Sequence, residues 1–224
     1  MEILKAENLV KVYHDNGVPV NALNNINLTI KKGEYVVIAG PSGSGKTTLL
    51  NLLGALDKPT EGKIYFEGED ITTKEKSELS KIRLHKLGFI FQAYNLIPVL
   101  TAIENIEFSM MLLGVQDKVR TEKALSLMDE LGIKELAHKR PNEMSGGQQQ
   151  RVAVARAIVN NPSLVLADEP TANLDSVTAG HLLALMEQMN LEKNITFIFS
   201  SHDKQVIDRA KRLIILKDGK IENQ

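Results

Sequence analysis

The chain has 224 residues, 43 % of them hydrophobic, and its 27 Lys and Arg against 28 Asp and Glu leave a formal net charge of −1. That is apolar material for one large domain, or for a core with a lobe inserted in it, and the balanced charge argues against a nucleic-acid partner, which needs a basic excess or stripe. Cysteine is absent, which excludes disulfides and thiolate metal sites and fits a reducing cytosol.

The opening residues Met1-Glu2-Ile3-Leu4-Lys5-Ala6-Glu7 are charged throughout and resemble no signal peptide. No apolar run approaches the roughly 20 residues needed to span a bilayer, so a soluble chain is expected, with any membrane role exercised through a partner. Residues 3–13 and 21–30 alternate apolar and polar, as half-buried strands do, with a turn at Asp15-Asn16-Gly17 between them. Lys31-Lys32-Gly33 turns into the apolar run Tyr35-Val36-Val37-Ile38-Ala39. A helix follows the next loop, with Leu49, Leu52, Leu53 and Leu56 on its buried face, ended by Lys58-Pro59-Thr60-Glu61-Gly62. Lys63 to Phe66 reads as a strand before a Glu67-Gly68 turn, Thr72 to Lys86 as a charged helix, and Leu87 to Phe91 as a short buried strand.

Residues 93–160 carry helical signals and no strand signal, which predicts an α-helical lobe inserted into an α/β core formed by residues 1–92 and 161–224. Ala124, Leu127, Met128 and Leu131 make one stripe, closed by Gly132. Strand character returns at Leu164–Ala167 and Ile195–Phe199, both continuous apolar runs suited to a parallel sheet covered on its two faces. The helix between them places Leu182, Leu185, Met186 and Met189 at core spacing. A hairpin through Lys217-Asp218-Gly219-Lys220 closes the chain.

Three motifs carry chemistry. Gly40-Pro41-Ser42-Gly43-Ser44-Gly45-Lys46-Thr47, followed by Thr48, lies between a strand and a helix, the setting of a phosphate-binding loop. Its backbone N–H groups can turn around phosphate oxygens, and the helix dipole adds roughly half a positive charge beneath them. Lys46 then reaches the β- and γ-phosphates and the Thr47 hydroxyl ligates Mg²⁺. Leu164-Val165-Leu166-Ala167-Asp168-Glu169 is an apolar strand delivering two acids at its carboxyl end. That is either a solvated acidic turn or an arrangement in which Asp168 holds Mg²⁺ through water and Glu169 deprotonates the attacking water. Ser145-Gly146-Gly147-Gln148 opens a helix running to Ile158 and Val159, either as an ordinary capped helix or as a second anion site; two glycines in a first turn cost stability and call for a reason.

In this order, the phosphate loop, Ser145-Gly146-Gly147-Gln148 and Asp168-Glu169 resemble the ATPase subunit of ABC transporters over essentially the whole chain. The resemblance implies a phosphate-loop NTPase core with a mostly parallel sheet, an N-terminal antiparallel β subdomain and the inserted helical lobe. It assigns Gln92 to Mg²⁺ and the catalytic water, His202 to the γ-phosphate, Asp175 to the loop Asn173-Leu174-Asp175 (the D-loop), and Tyr13 to stacking on adenine. Met144 stands where leucine is usual, and Asn173 where alanine is frequent. The family implies an ATP-dependent homodimer in which each ATP lies between one phosphate loop and the other chain's Ser145 to Gln148. It also implies a cytoplasmic position on the inner face of the membrane, through an integral permease.

Ala93-Tyr94-Asn95-Leu96-Ile97-Pro98-Val99-Leu100 fits neither helix nor strand period. It is either a loop tucked onto the helical lobe or part of an apolar surface awaiting a partner, and in the family this segment receives the permease. Asn95-Leu96-Ile97-Pro98 and Asp168-Glu169-Pro170-Thr171-Ala172-Asn173-Leu174-Asp175-Ser176 resemble the macrolide-exporter and lipoprotein-releasing subgroup. The alternatives are an ATP-dependent regulatory clamp on a membrane protein without a transported substrate, and a soluble ABC ATPase, whose usual paired cassettes or long insertions this chain lacks.

Overall fold

A computed structural model describes residues 1–15 and 17–223; Asn16, at the centre of the predicted Asp15-Asn16-Gly17 turn, lies outside them. Ten strands and seven α-helices are seen among the described residues. Strands β1 (Glu2–Asp15), β2 (Val18–Lys31), β4 (Glu61–Phe66) and β5 (Glu69–Asp70) form an antiparallel sheet in the order β2-β1-β4-β5. A second sheet uses β3 (Tyr35–Ala39), β6 (Leu87–Ile90), β7 (Leu164–Asp168), β8 (Thr196–Ser201), β9 (Arg212–Lys217) and β10 (Lys220–Asn223). Its order is β10-β9-β3-β8-β7-β6, parallel throughout except for the terminal β9–β10 hairpin.

The apolar runs of β3, β7 and β8 are buried on both faces, and their residues divide by the period of two. Val36, Ile38, Leu164, Leu166 and Ile198 join the core beneath the antiparallel sheet. Tyr35, Val37, Val165, Ala167, Phe197 and Phe199 join the core on the helical side. Helix α1 (Lys46–Leu53) is wedged into the first of these cores. Isolated helices shorter than about 12–15 residues are marginal in water, so packing must hold it. Leu49, Leu52 and Leu53 have no exposed surface, each worth about 2 kcal/mol of burial.

Helix α2 is Lys76–Lys86, followed by α3 (Ala102–Leu112), α4 (Asp117–Glu130), α5 (Gly146–Ile158), α6 (Ser176–Lys193) and α7 (Lys204–Ile207). Between residues 93 and 160 the described structure contains α3, α4, α5 and short 3-10 turns, and no strand. The stripe of α4 is buried at Ala124, Leu127, Met128 and Leu131. Gly132 (φ +64) ends it: its N–H donates to Asp129 at 3.0 Å and the Ile133 N–H to Met128 at 2.8 Å, which satisfies two orphan carbonyls.

Two boundaries differ from expectation. α1 stops at Leu53 rather than near Lys58: Gly54 caps it, a position where a Cβ would lie 2.6 Å from Phe89 and 2.8 Å from Leu166, and Ala55 turns left-handed at φ +54. Leu56, predicted on the buried face, is therefore exposed. α2 starts four residues later than Thr72. The Thr72 hydroxyl accepts from the Ile64 N–H at 2.8 Å and its N–H donates to Asp70 at 2.9 Å, so the chain is bound to β4 before the helix begins at its Glu75–Glu78 capping box.

Candidate functional site

The phosphate loop joins β3 to α1. Gly45, its last glycine, sits at φ +101, and a Cβ there would lie 2.5 Å from the Ala22 carbonyl. At Gly40 a Cβ would lie 2.0 Å from the Leu216 carbonyl. The loop is thus pressed between β2 and β9, and glycine is required at both positions. Ser44 is buried; its carbonyl accepts from the Gly219 N–H at 3.1 Å, which pins the loop to the last hairpin. Lys46 is only 7 % exposed, and its ammonium donates to the carbonyls of Gly40 at 2.8 Å and Pro41 at 3.0 Å. The lysine closes the loop on itself and is aimed where phosphate oxygens would sit.

A cavity of about 480 Å³ opens over this loop. Ser42, Gly43, Gly45, Lys46, Thr47 and Thr48 line it, together with Gln92, Glu169 and His202. The Thr47 hydroxyl donates to Asp168 at 3.2 Å, which draws the end of β7 to the start of α1. Glu169 follows with φ +45, a left-handed backbone for which a non-glycine residue costs about 1–3 kcal/mol. Its N–H is held by the Ser200 carbonyl at 2.9 Å. One carboxylate oxygen accepts from the Ser201 hydroxyl at 2.9 Å, and the other lies 2.7 Å from His202 Nδ1. Glu169 is sheltered while His202 is largely exposed: a held carboxylate with a solvent-facing imidazole beside it.

Tyr13 is not among the lining residues. It opposes Val20 across the β1–β2 pair, and Val20, Asn21 and Ala22 do line the cavity. Its hydroxyl donates to Asp57 at 2.9 Å, and Lys11 lies over its ring at 4.8 Å. Burial raises its pKa, the Asp57 contact adds to this, and the Thr48 hydroxyl opposes it. The ring thus stands at the rim, next to lining residues on both sides. The three β2 residues were missed by motif reasoning; their one signal was Val20, an exposed valine paired with the tyrosine. Ser201 was missed as well, since a serine before a histidine has no pattern of its own.

Ser145, Gly146, Gly147 and Gln148 lie elsewhere. With Asn173, Leu174, Asp175 and Thr178 they line a second cavity of about 420 Å³ that shares no lining residue with the first. Ser145 caps α5: its hydroxyl accepts from the Gln148 N–H at 3.4 Å, and Gln148 Oε1 accepts from the Ser145 N–H at 2.9 Å. Asp175 caps α6 through the N–H groups of Val177 and Thr178, each at 3.0 Å. The Thr178 hydroxyl, donating at 2.6 Å, is the first cause holding the Asp175 carboxyl below its usual pKa. Met144 is buried, and the Asn173 side chain donates to the Gln92 carbonyl at 2.8 Å, which joins a lining residue of each cavity.

The segment 93–100 is tied down in part. Buried Asn105 accepts from the Ile97 N–H at 2.7 Å and donates to the carbonyls of Ile97, Leu100 and Thr101, while Val99 stays exposed. An apolar groove of about 440 Å³ runs beside it, where Asn95 meets Leu56, Phe89, Phe91 and Leu112. Among the described residues no helix is long and apolar enough to cross a membrane.

Comparison with known proteins identifies the family and the fold. The sequence profile of the ABC transporter family matches residues 23–172. The dimeric ATP-binding cassette MJ0796 of Methanocaldococcus jannaschii, solved in a post-hydrolysis state bound to ADP and Pi, superposes with a TM-score of 0.93 at 44 % identity, over 99 % of this chain and 97 % of that one. The lipoprotein-releasing system ATP-binding protein LolD 1 of Chlorobium chlorochromatii is 42 % identical over 98 % of this chain and 90 % of its own length. The macrolide export ATP-binding/permease protein MacB of Vibrio parahaemolyticus is 44 % identical over 98 % of this chain, which spans only 33 % of that longer protein.

Proposed function

The chain belongs to the ABC transporter family and is an ATP-hydrolysing component of it, and on that premise we propose that two copies close head to tail on two ATP molecules to drive a membrane permease of the macrolide-export or lipoprotein-releasing kind. The observation that carries this reading is the division of the machinery. One cavity holds the phosphate loop, Gln92, Glu169 and His202, and the other holds Ser145 to Gln148 with Asp175, with no residue in common. Two chains related head to tail would bring the phosphate loop of one and Ser145 to Gln148 of the other to the same nucleotide.

Lys46 exchanges the carbonyls of Gly40 and Pro41 for phosphate oxygens, a charge-assisted and therefore stronger bond. Tyr13 and Val20 offer the purine a flat apolar seat at the rim. Thr47 and Asp168, already within hydrogen-bonding distance, with Gln92 at the cavity wall, supply the hard oxygen donors and the single carboxylate that suit Mg²⁺. Bound there, Mg²⁺ would neutralise charge on the transferring phosphate. Glu169, held by Ser201 and beside His202, takes the proton of the attacking water, and His202 swings toward the γ-phosphate. Residues 93–160 form the lobe carrying the second half-site, and the apolar groove beside residue 95, with segment 93–100, receives the permease, which would keep the chain on the cytoplasmic face of the membrane.

Glu169→Gln is the decisive variant. Under saturating ATP it is expected to bind nucleotide normally and to elute as a stable dimer, because the sandwich forms and is not hydrolysed. A variant that binds ATP and stays monomeric rejects the head-to-tail mechanism.

A further inference from the structure

The segment that leaves Gln92 is unusually constrained. Tyr94 and Asn95 are consecutive non-glycine residues in the left-handed region, at φ +61 and +49, a conformation costing about 1–2 kcal/mol per residue. It persists only where the surroundings hold it. Arg156, on α5, does so: its guanidinium donates to the Tyr94 carbonyl at 2.8 Å and also to the Asn95 carbonyl. Ten residues earlier on the same helix, a Cβ on Gly146 would lie 2.7 Å from the Tyr94 hydroxyl oxygen and 3.5 Å from the Asn173 carbonyl. The tyrosine is therefore tied to α5 twice, its backbone by the Arg156 guanidinium and its phenol against Gly146, the first residue of the helix. Asn173 completes the junction through its bond to the Gln92 carbonyl.

We infer that Tyr94 is a positioning residue for the turn Ser145 to Gln148 (the signature turn): clamped by Arg156, its ring sets where Ser145 to Gly147 stand, so that a partner pressing on residues 93–100 moves the second half of the ATP site. This rests on the reading of Ser145 to Gln148 as that half. Neither Tyr94 nor Arg156 lines the phosphate cavity; of this junction only Gln92 does. A partner that displaces the segment must either carry α5 with it, through the guanidinium bonds and the contact between the phenol and Gly146, or break those contacts.

The test uses the full chain carrying Tyr94→Ala, Tyr94→Phe or Arg156→Lys. Three quantities are measured: affinity of the monomer for trinitrophenyl-ATP, ATP-driven dimerisation in the Glu169→Gln background, and amide hydrogen exchange over residues 40–48 and 145–150. Tyr94→Ala is expected to keep monomer affinity within twofold, to weaken dimerisation at least tenfold, and to speed exchange at 145–150 alone. Tyr94→Phe, which keeps the ring, stays within threefold of the parent, and Arg156→Lys, with one donor group for two carbonyls, falls between them. Parent-like dimerisation and exchange in Tyr94→Ala overturn the inference, as does a loss spread equally over residues 40–48. Ser145→Arg separates the two levels. If it dimerises normally, the reading of the signature turn fails; if it is impaired while Tyr94→Ala is normal, only the positioning role fails.

Discussion

Two helix N-termini in this chain face cavities of about 480 and 420 Å³, and they are finished in opposite ways. α1 begins at Gly45 with no side chain bonded back onto its first turn, so its leading N–H groups are left for a ligand. α5 begins at Ser145 with a closed capping box, hydroxyl to Gln148 N–H and carboxamide to Ser145 N–H. Such a cap is worth about 1 kcal/mol, whereas a bond to a charged phosphate is about twice as strong as one between neutral groups. A phosphate can therefore open the box, but with little net gain unless something else has already fixed it in place. Under the proposed head-to-tail pairing, the contrast orders the events: one chain takes up ATP at α1, and α5 of the other chain closes afterwards.

The strongest way to break this contrast is to remove the cation at the open end. Lys46→Ala is expected to lower phosphate release by about 100-fold or more, the scale set by loss of one preorganised donor to developing charge, while turnover within threefold of the parent would dissociate the loop from hydrolysis. Gly45→Ala attacks the geometry. A methyl group at φ +101 that must also lie 2.5 Å from the Ala22 carbonyl is expected to cost about 2–3 kcal/mol. In a chain of this size that is a fall of about 4–12 °C in Tm, readable by thermal melting, and an unchanged Tm would mean the loop has room the structure denies it.

A subtler substitution sharpens the comparison at the closed end. Helix α3 carries the same box as α5, with Thr101 as cap and Glu104 three residues on, but its back-bonding group is a carboxylate, which opposes an incoming anion. In α5 the corresponding group is the neutral Gln148. Gln148→Glu would give α5 the box of α3. Because a negative charge favours a helix N-terminus by about 0.3–1 kcal/mol, the isolated chain should hold or gain stability in a denaturant titration. The same charge should lower ATP hydrolysis about tenfold without altering nucleotide binding by the monomer. Undiminished hydrolysis would show that phosphate never approaches this turn.

Much of this was legible in the residues, for reasons that can be located. The phosphate loop, Asp168-Glu169 and the Ser145 cap are contiguous, and local chemistry fixes their backbone, so short stretches suffice. The continuous apolar runs of β3, β7 and β8 announced a sheet buried on both faces, and the absence of strand signal over 93–160 announced helices. What escaped depends on contacts distant in sequence. The end of α1 had a local signal in Gly54, its C-cap, but the approach of Phe89 and Leu166 that demands glycine there is not written near residue 54. The cavity wall from Val20 to Ala22 comes from the pairing of β1 with β2. The clamp of Arg156 on Tyr94 spans 62 residues, and the bond from Asn173 to Gln92 spans 81; each involves a residue type that alone reads as ordinary surface.

The mildest prediction uses α3 as the control that isolates capping from function. Thr101 accepts from the Glu104 N–H at 3.4 Å, and Glu104 accepts from both the N–H and the hydroxyl of Thr101, at 2.7 and 2.8 Å. Thr101→Ala removes the hydroxyl and leaves the backbone pair, so a loss of about 1 kcal/mol is expected, with ATP hydrolysis unchanged because α3 faces neither cavity. The pH dependence follows from Glu104, which the Thr101 N–H, and then its hydroxyl, hold below the ordinary carboxyl range. A carboxylate with a depressed folded-state pKa stabilises the protein above its unfolded pKa of about 4.3, and that contribution disappears as pH falls through the folded value. The gap between parent and Thr101→Ala in denaturant titrations should therefore be full at neutral pH and shrink below about pH 4. A gap of the same size at pH 3 would mean that the hydroxyl acts on the helix without the carboxylate. The box of α3 would then no longer serve as the anionic counterpart of the one on α5.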